Sequence, residues 1–215
     1  MKTTNFLYAV FFLSLLAACT RTEPEIPYAI MRLAYMQESD VIKERASFFC
    51  IASDEEGIEN LADLYMYHDR EGLCWHISER DWVSVQQDDT TWLGSRSIAM
   101  IDDEPLPRGV YRVVLVNKAG EEAMHSVTFD PPVSPRFPFP SLILEDGAYT
   151  VDSKYPANYF IGYDEQGTYV QTVPITALQG ALADMQFNAK VKSIALWTED
   201  ALYATSALTD GRLTQ

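Results

Sequence analysis

Histidine and cysteine are the side chains in this sequence with the clearest potential to bind a metal. The chain has three histidines and three cysteines. Cys74 and His76 lie a few residues after His68, which places a thiol and two imidazoles in one short segment. Their spacing matches none of the usual ligand pairs of zinc or copper sites. We therefore predict no metal centre, and we expect His68, His76 and His125 to be solvated or hydrogen-bonded.

Motifs for covalent or cofactor chemistry are missing from the sequence. It contains no Gly-x-Ser-x-Gly, Ser-x-x-Lys or His-Glu-x-x-His motif. It also lacks the glycine-rich loops that hold phosphates. The 31 acidic residues offer many carboxylate pairs for glycoside hydrolysis, but no spacing selects one pair. The sequence thus predicts no catalytic residue and no cofactor, and it leaves a hydrolase open as an alternative.

Composition and charge exclude several classes of protein. With 47% hydrophobic and 22% charged residues, the chain is globular rather than disordered or fibrous. The formal net charge is −15. A chain this acidic lacks the clustered Lys and Arg that hold a phosphate backbone, so we predict no nucleic-acid partner.

The N-terminal segment has the organisation of an export signal. Lys2 precedes an apolar run over residues 6–16 that is too short to span a bilayer as a helix. The following Leu16-Ala17-Ala18-Cys19 resembles the lipobox of bacterial lipoprotein precursors. The resemblance implies that residues 1–18 are a signal peptide and that Cys19 is lipidated and becomes the first residue. An ordinary secretory signal with an incidental cysteine is the alternative.

Lipidation of Cys19 would place the protein on a membrane. Two or more acyl chains anchor a protein durably, because each buried methylene contributes about 0.8 kcal/mol. The polar residues of segment 19–27 are typical of a short tether. Thr20 is not Asp, so by analogy with Gram-negative lipoproteins we expect the outer membrane. The predicted location is the cell envelope, with the membrane as a partner through the lipid anchor.

Cys50 and Cys74 remain as a pair once Cys19 is assigned. A disulfide between them is possible in an oxidising, exported context. A loop of 24 positions would stabilise the fold by about 3.5 kcal/mol in the chain-entropy model. Two free thiols buried as small apolar residues are the alternative.

Prolines indicate a boundary in the middle of the chain. Five of the 11 fall in segment 131–140, which we interpret as a linker, with a proline-rich loop inside one domain as the alternative. Segment 28–130 has many short strand patterns, and 110–116 with 123–129 predict a hairpin. The run Leu-Pro-Arg-Gly-Val-Tyr-Arg-Val (106–113) resembles the late hairpin of immunoglobulin-like or fibronectin-type domains. The resemblance implies an immunoglobulin-like antiparallel β-sandwich and transfers no functional residue.

The segment 141–215 predicts a small antiparallel α+β domain. Its one helix is expected over residues 176–185, where Thr176 and Gln179 have the spacing of a capping box. Strands are expected on both sides of that helix, and Trp197 is predicted to be a core anchor. The predicted fold class is therefore mainly β, with a sandwich followed by an α+β module.

Aromatic residues are the remaining candidates for function. The sequence has 12 Tyr, 10 Phe and 4 Trp, most of which should pack in cores. An exposed subset would form a platform for a partner protein or a glycan. Two groups stand out in the sequence: Trp75, Trp82 and Trp92, and Tyr155, Tyr159 and Tyr163. We predict a membrane-anchored, non-catalytic binding or scaffolding module whose partner is another envelope protein or a glycan. An envelope hydrolase and a structural subunit of an envelope assembly are the alternatives.

Overall fold

The computed structural model describes residues 22–38, 41–87 and 90–209, and the backbone of residues 213 and 214. The predicted signal peptide 1–18 and the predicted lipidation site Cys19 lie outside these residues. A strand begins at Glu25, inside the predicted tether 19–27. None of the helical segments in the described parts is long and apolar enough to cross a bilayer.

Strands account for most of the described chain, and the mainly β prediction is confirmed. The strands before residue 130 are β1 (Glu25–Glu38), β2 (Val41–Ser53), β3 (Leu61–His68), β4 (Leu73–Ser78), β5 (Val83–Gln87), β6 (Thr90–Ile98), β7 (Gly109–Asn117) and β8 (Glu122–Phe129). Those after residue 140 are β9 (Ser141–Glu145), β10 (Ala148–Asp152), β11 (Ala157–Tyr163), β12 (Tyr169–Pro174), β13 (Gln179–Ala181), β14 (Ser193–Asp200), β15 (Thr205–Leu208) and β16 (Leu213–Thr214). Helical geometry in the described residues is confined to single 3-10 turns at Ile58–Asn60, Leu182–Asp184 and Ala201–Tyr203.

The strands form three sheets. The largest has nine strands in the order β12-β11-β14-β15-β1-β2-β6-β5, with β16 paired to β14. A four-stranded sheet has the order β4-β3-β7-β8, and a three-stranded sheet has the order β13-β10-β9. The predicted hairpin of 110–116 with 123–129 is present as β7 and β8, in which Val113 faces His125.

Two hydrophobic clusters lie on one face of the nine-stranded sheet. The first joins β1, β2 and β6 to the four-stranded sheet and includes the fully buried Phe48, Tyr111 and Phe129. The second joins β11 and β14 to the three-stranded sheet and is centred on Phe160 and Leu196. Because side chains alternate along a strand, the remaining side chains of these strands point to the opposite face.

Close approach of two strands in the large sheet depends on one glycine. A Cβ at Gly94 on β6 would lie 1.9 Å from the carbonyl oxygen of Phe48 on β2. Only glycine therefore permits β2 and β6 to pair at this point. Their register shifts between Ala46 and Phe48, and Phe48 pairs with Ser95 after the shift.

The proline-rich segment 131–140 contains no strand. The large sheet nevertheless combines strands from before and after this segment. Strand β1 pairs in parallel with β15, from Leu33↔Thr205 to Met36↔Leu208. Strands from 28–130 and from 141–215 therefore share one sheet, and the division of the chain into domains at this segment stays a prediction.

The helix predicted over 176–185 is wrong. Gln179–Ala181 instead forms β13, which pairs with β10, and Leu182–Asp184 is a single 3-10 turn. Gly180 lies against the ring of Tyr149, where a Cβ would be 2.9 Å from the hydroxyl oxygen. A short helix interrupted by glycine is marginal in isolation, so pairing with β10 and packing on the second cluster decide the structure.

Candidate binding site on the open sheet face

The histidines are placed apart in the structure. His68 is buried on β3, with its ring centroid 4.9 Å from that of Tyr111. His76 is exposed on β4, and its Nε2 lies 2.6 Å from Oδ1 of Asp63. His125 lies on β8. Within the part of the chain that the structure describes, no three His, Cys, Asp or Glu side chains converge to hold a metal ion.

Cys50 and Cys74 are both free cysteines in the structure, one buried and one exposed, and a disulfide between them stays a prediction. Cys50 points from β2 into the first hydrophobic cluster and is fully buried. Cys74 is exposed on β4, opposite Tyr67 of β3, on the outer face of the four-stranded sheet. Burial raises the pKa of the Cys50 thiol to about 12.

The face of the nine-stranded sheet opposite the two clusters, here called the open face, carries a trough. Its volume is about 430 Å³, within the size range of ligand sites. The trough is lined by aromatic residues Tyr163, Tyr169 and Trp197, by aliphatic residues Ala34, Met36, Ile161 and Leu208, and by polar residues Ser47, Thr172 and Arg96.

Seven neighbouring strands build the trough. Strands β12, β11 and β14 supply the aromatic rings at one end. Strands β15, β1 and β2 supply the aliphatic and small residues of the middle, where Leu208 pairs with Trp197 on one side and Met36 on the other. Strand β6 supplies Arg96 at the far end. The trough therefore has an aromatic end and a cationic end.

The prediction that Trp197 is a core anchor is wrong. Its neighbours Leu196 and Thr198 are fully buried on the core face, so alternation directs the half-buried indole to the open face. The indole N–H of Trp197 has no hydrogen-bond acceptor among the described residues, unlike that of Trp75, which donates to the Ala99 carbonyl oxygen at 2.8 Å. Trp197 thus presents a ring and an unused donor to the trough.

The charges around the trough are unequally distributed. Arg96 is exposed, and no hydrogen bond or ion pair engages it within the described ranges. Arg32 lies beside the trough, but its Nη1 is 3.2 Å from Oε1 of Glu199. Arg32 and Glu199 line a smaller adjacent hollow of about 30 Å³, together with Asp200. These acidic groups therefore lie next to the trough, whereas the part of its lining that the structure describes contains none.

A second aromatic pair occupies another part of the open face. Tyr28 on β1 and Trp92 on β6 meet edge to face, with ring centroids 5.8 Å apart. Tyr28 is 48% exposed. Of the other aromatic residues that the sequence singled out, Trp75 and Trp82 pack against the first cluster and Tyr155 is buried in it.

The outer face of the four-stranded sheet is a different kind of surface. Tyr65 stacks on His76 at 4.6 Å between centroids. The guanidinium of Arg112 lies 4.3 Å from the ring centroid of Tyr67 and donates to both carboxylate oxygens of Asp69, at 2.7 and 3.0 Å. The polar groups of this surface thus satisfy one another, in contrast to Trp197 and Arg96.

Together, the fold and the site define a mainly β protein with an aromatic and cationic trough on the open face of its largest sheet. No protein-family model and no curated protein matches the chain.

Among solved structures, the chain is similar to part of Tp47, the 47-kilodalton lipoprotein of Treponema pallidum. The TM-score is 0.35 at 11% identity, over 87% of this chain and 51% of that one. It is also similar to part of dimeric latent PorU from Porphyromonas gingivalis, with a TM-score of 0.34 at 11% identity, over 91% of this chain and 20% of that one. The chain thus spans about half of the first protein and a fifth of the second, and similarities of this size define no family for it.

Proposed function

We propose that the protein is a non-catalytic binding module of the bacterial cell envelope and that the trough on the open face is its binding site. The observation that carries the proposal is the trough itself, in which three aromatic rings are left half-buried or exposed beside Arg96, which has no ion pair among the described residues. Aromatic residues and arginine dominate the energetics of binding surfaces. The ligand is an envelope glycan or a segment of another envelope protein.

The lining of the trough favours binding over hydrolysis. General acid–base hydrolysis of a glycoside uses a pair of carboxyl groups, and proteolytic nucleophiles need a neighbouring base. Among the described residues, the trough is lined by neither a carboxylate nor a histidine, although Ser47 and Thr172 supply hydroxyl groups. The Ser47 hydroxyl and the indole N–H of Trp197 are suited to hydrogen-bonding a ligand that is released unchanged.

Membrane attachment through Cys19 is part of the proposal and rests on the Leu16-Ala17-Ala18-Cys19 sequence. An outer-membrane lipoprotein would carry the folded body close to the bilayer, because β1 begins only six positions after Cys19. Replacement Cys19→Ser should abolish incorporation of radioactive palmitate and release the protein from the membrane pellet. Equal labelling and equal pelleting of both forms would refute the anchor.

An immunoglobulin-like arrangement of residues 25–129 is also proposed. The orders β1-β2-β6-β5 and β4-β3-β7-β8 correspond to the A-B-E-D and C′-C-F-G sheets of immunoglobulin-like sandwiches. The hydroxyl of the buried Tyr111 on β7 donates to the carbonyl oxygen of Pro107 at 2.8 Å, which is the contact made by the tyrosine corner of such domains. The open face would then be the outer face of the A-B-E-D sheet, extended by β15, β14, β11 and β12.

The binding proposal is tested with delipidated envelope fragments from the producing bacterium. Without lipid in the fragments, the acyl chains of the protein cannot cause binding by inserting into a bilayer. Full-length protein in detergent is titrated onto immobilised fragments as wild type, Trp197→Ala and Tyr65→Ala. Tyr65 is a half-buried ring on the outer face of the four-stranded sheet and serves as the control.

We expect wild type and Tyr65→Ala to bind alike and Trp197→Ala to bind at least tenfold more weakly, because a central aromatic contact is worth about 2 kcal/mol or more. Protease treatment of the fragments distinguishes a glycan ligand from a protein ligand. The proposal is overturned if Trp197→Ala binds as well as wild type or if no form binds.

A further inference from the structure

We infer that the ligand of the trough is an acidic oligosaccharide, whose carboxylate binds Arg96 and whose sugar rings pack on Trp197, Tyr163 and Tyr169. This inference rests on the proposed binding function of the trough and names the class of ligand. It follows from the charge, the openness and the length of the site.

Charge selects an anionic ligand. The chain has 31 acidic and 16 basic residues, yet within the described residues the trough is lined by one charged side chain, Arg96, and by no acidic one. Among the described residues, Arg96 has no acidic partner, whereas the neighbouring Arg32 is paired with Glu199. A guanidinium offers a planar pair of donors that matches a carboxylate, so a ligand carboxylate would take the place of the missing acidic side chain.

The open form of the trough selects a sugar over an alkyl chain. The affinity of a fatty acid comes from burying its apolar surface. A fatty acid lying along a sheet face would keep much of that surface in water, so it would bind weakly. A sugar ring has an apolar face of C–H groups that packs on Tyr or Trp, while its outward hydroxyls stay hydrated. The indole N–H of Trp197 and the hydroxyl of Ser47 line the trough and can hydrogen-bond the inward hydroxyls. The Thr172 hydroxyl is 3.2 Å from that of Tyr169 and keeps acceptor capacity for a further hydrogen bond.

The length of the trough selects an oligosaccharide. Four strand-to-strand steps separate β14, which carries Trp197, from β6, which carries Arg96. At about 4.8 Å a step, the distance is roughly 19 Å along a flat sheet. One sugar ring cannot reach both ends, so the ligand has several residues with an acidic unit near Arg96.

Oligogalacturonate, oligomannuronate and hyaluronan oligosaccharides test the inference, each compared with its methyl ester. The ester keeps the sugar rings and removes the charge. Dodecanoate is the alkyl probe. Affinities are measured by calorimetry on the full-length protein as wild type, Arg96→Gln, Trp197→Ala and the control Arg80→Gln, which changes an exposed arginine in the turn after β4.

We expect at least one acid form to bind wild type and Arg80→Gln alike. Its methyl ester should bind wild type about tenfold or more weakly, and Arg96→Gln should bind acid and ester equally. Trp197→Ala should lose both. Equal binding of acid and ester by wild type would overturn the acidic inference and leave the binding function standing. Binding of dodecanoate without any saccharide, or of no probe, would overturn the saccharide assignment, and the envelope-fragment titration would still decide the binding function.

Discussion

Arg108 donates two parallel hydrogen bonds to the carboxylate of Glu44, at 2.7 Å from Nη2 to Oε1 and 2.9 Å from Nη1 to Oε2. The side chains are only 16% and 7% exposed. Glu44 Oε2 also accepts the backbone N–H of Leu106, and Arg108 Nε donates to the carbonyl oxygen of Pro131. This pair therefore connects β2 to the loop before β7 and to the start of the proline-rich segment.

Loss of one member of this pair should destabilise the protein strongly. Glu44→Ala leaves the guanidinium of Arg108 buried without its counter-charge. We therefore expect the free energy of unfolding to fall by about 3 kcal/mol or more. Urea unfolding followed by tryptophan fluorescence measures the change. Asp69→Ala, which breaks the exposed pair with Arg112, is the control and should have a much smaller effect. Equal losses from the two substitutions would contradict this role of the buried pair.

The two thiols of the described chain should differ in reactivity. Burial and a pKa of about 12 keep Cys50 protonated and inaccessible, whereas Cys74 is exposed. Iodoacetamide at pH 8 should alkylate Cys74 in the native protein and Cys50 only in denaturant, as read by peptide mass spectrometry. Cys74→Ser should remove the native labelling. A Cys50–Cys74 disulfide peptide from the unreduced protein would show that these positions are bridged.

Stability should depend on pH through Asp103. Hydrogen bonds from Lys43 and then from Arg45 hold the pKa of the Asp103 carboxyl below its usual 3.8. A carboxyl whose pKa is lower in the folded than in the unfolded state stabilises the fold at pH values above its unfolded pKa. This contribution is lost as the pH falls through the folded pKa. Asp103→Asn should therefore lower the urea midpoint slightly at pH 7, and this difference from wild type should shrink as the pH falls below 3.8.

Asp103→Asn is a clean test because Asp103 has a φ of 59°, a left-handed conformation that asparagine also tolerates. Asp102→Asn removes the same charge from the same loop without breaking an ion pair among the described residues. A similar loss from both substitutions at pH 7, or a loss from Asp103→Asn that does not shrink as the pH falls below 3.8, would contradict the ion-pair explanation.

Tyr35 offers a test of the opposite sign. Its hydroxyl is buried without a hydrogen-bond partner in the described structure, and desolvation followed by the charge of Glu44 raises its pKa to about 12. Tyr35→Phe removes an unsatisfied polar atom and keeps the ring, so stability should stay the same or rise by up to about 1 kcal/mol. A loss of more than that would show that the hydroxyl has a partner.

Local patterns in the sequence predicted the parts of the fold that local interactions determine. The β-branched and aliphatic residues of β7 and the turn before β8 sufficed for their hairpin, because both strands and their connection lie within one segment. The capping-box pattern at Thr176 failed, since β10 supplies backbone partners to Gln179–Ala181 that no local pattern reveals. The parallel pairing of β1 with β15 joins the two ends of the described chain and has no local signal.

The trough could be predicted only in kind. The sequence indicated that some aromatic residues would be exposed, and Tyr163 belongs to a group it singled out. It missed Trp197 because residues 194–197 are a continuous apolar run without alternation. It missed Tyr169 and Arg96 because seven strands far apart in the chain assemble the site.

The central claim is that the trough is occupied when the protein is in its native envelope. Hydroxyl-radical footprinting of intact cells against the purified full-length protein tests it without knowledge of the ligand. We predict that Trp197, Tyr163 and Tyr169 are protected from oxidation in cells and become reactive on purification, while Tyr65 and Tyr67 react equally in both. Equal reactivity of Trp197 in the two states, or protection confined to Tyr65 and Tyr67, would contradict the account.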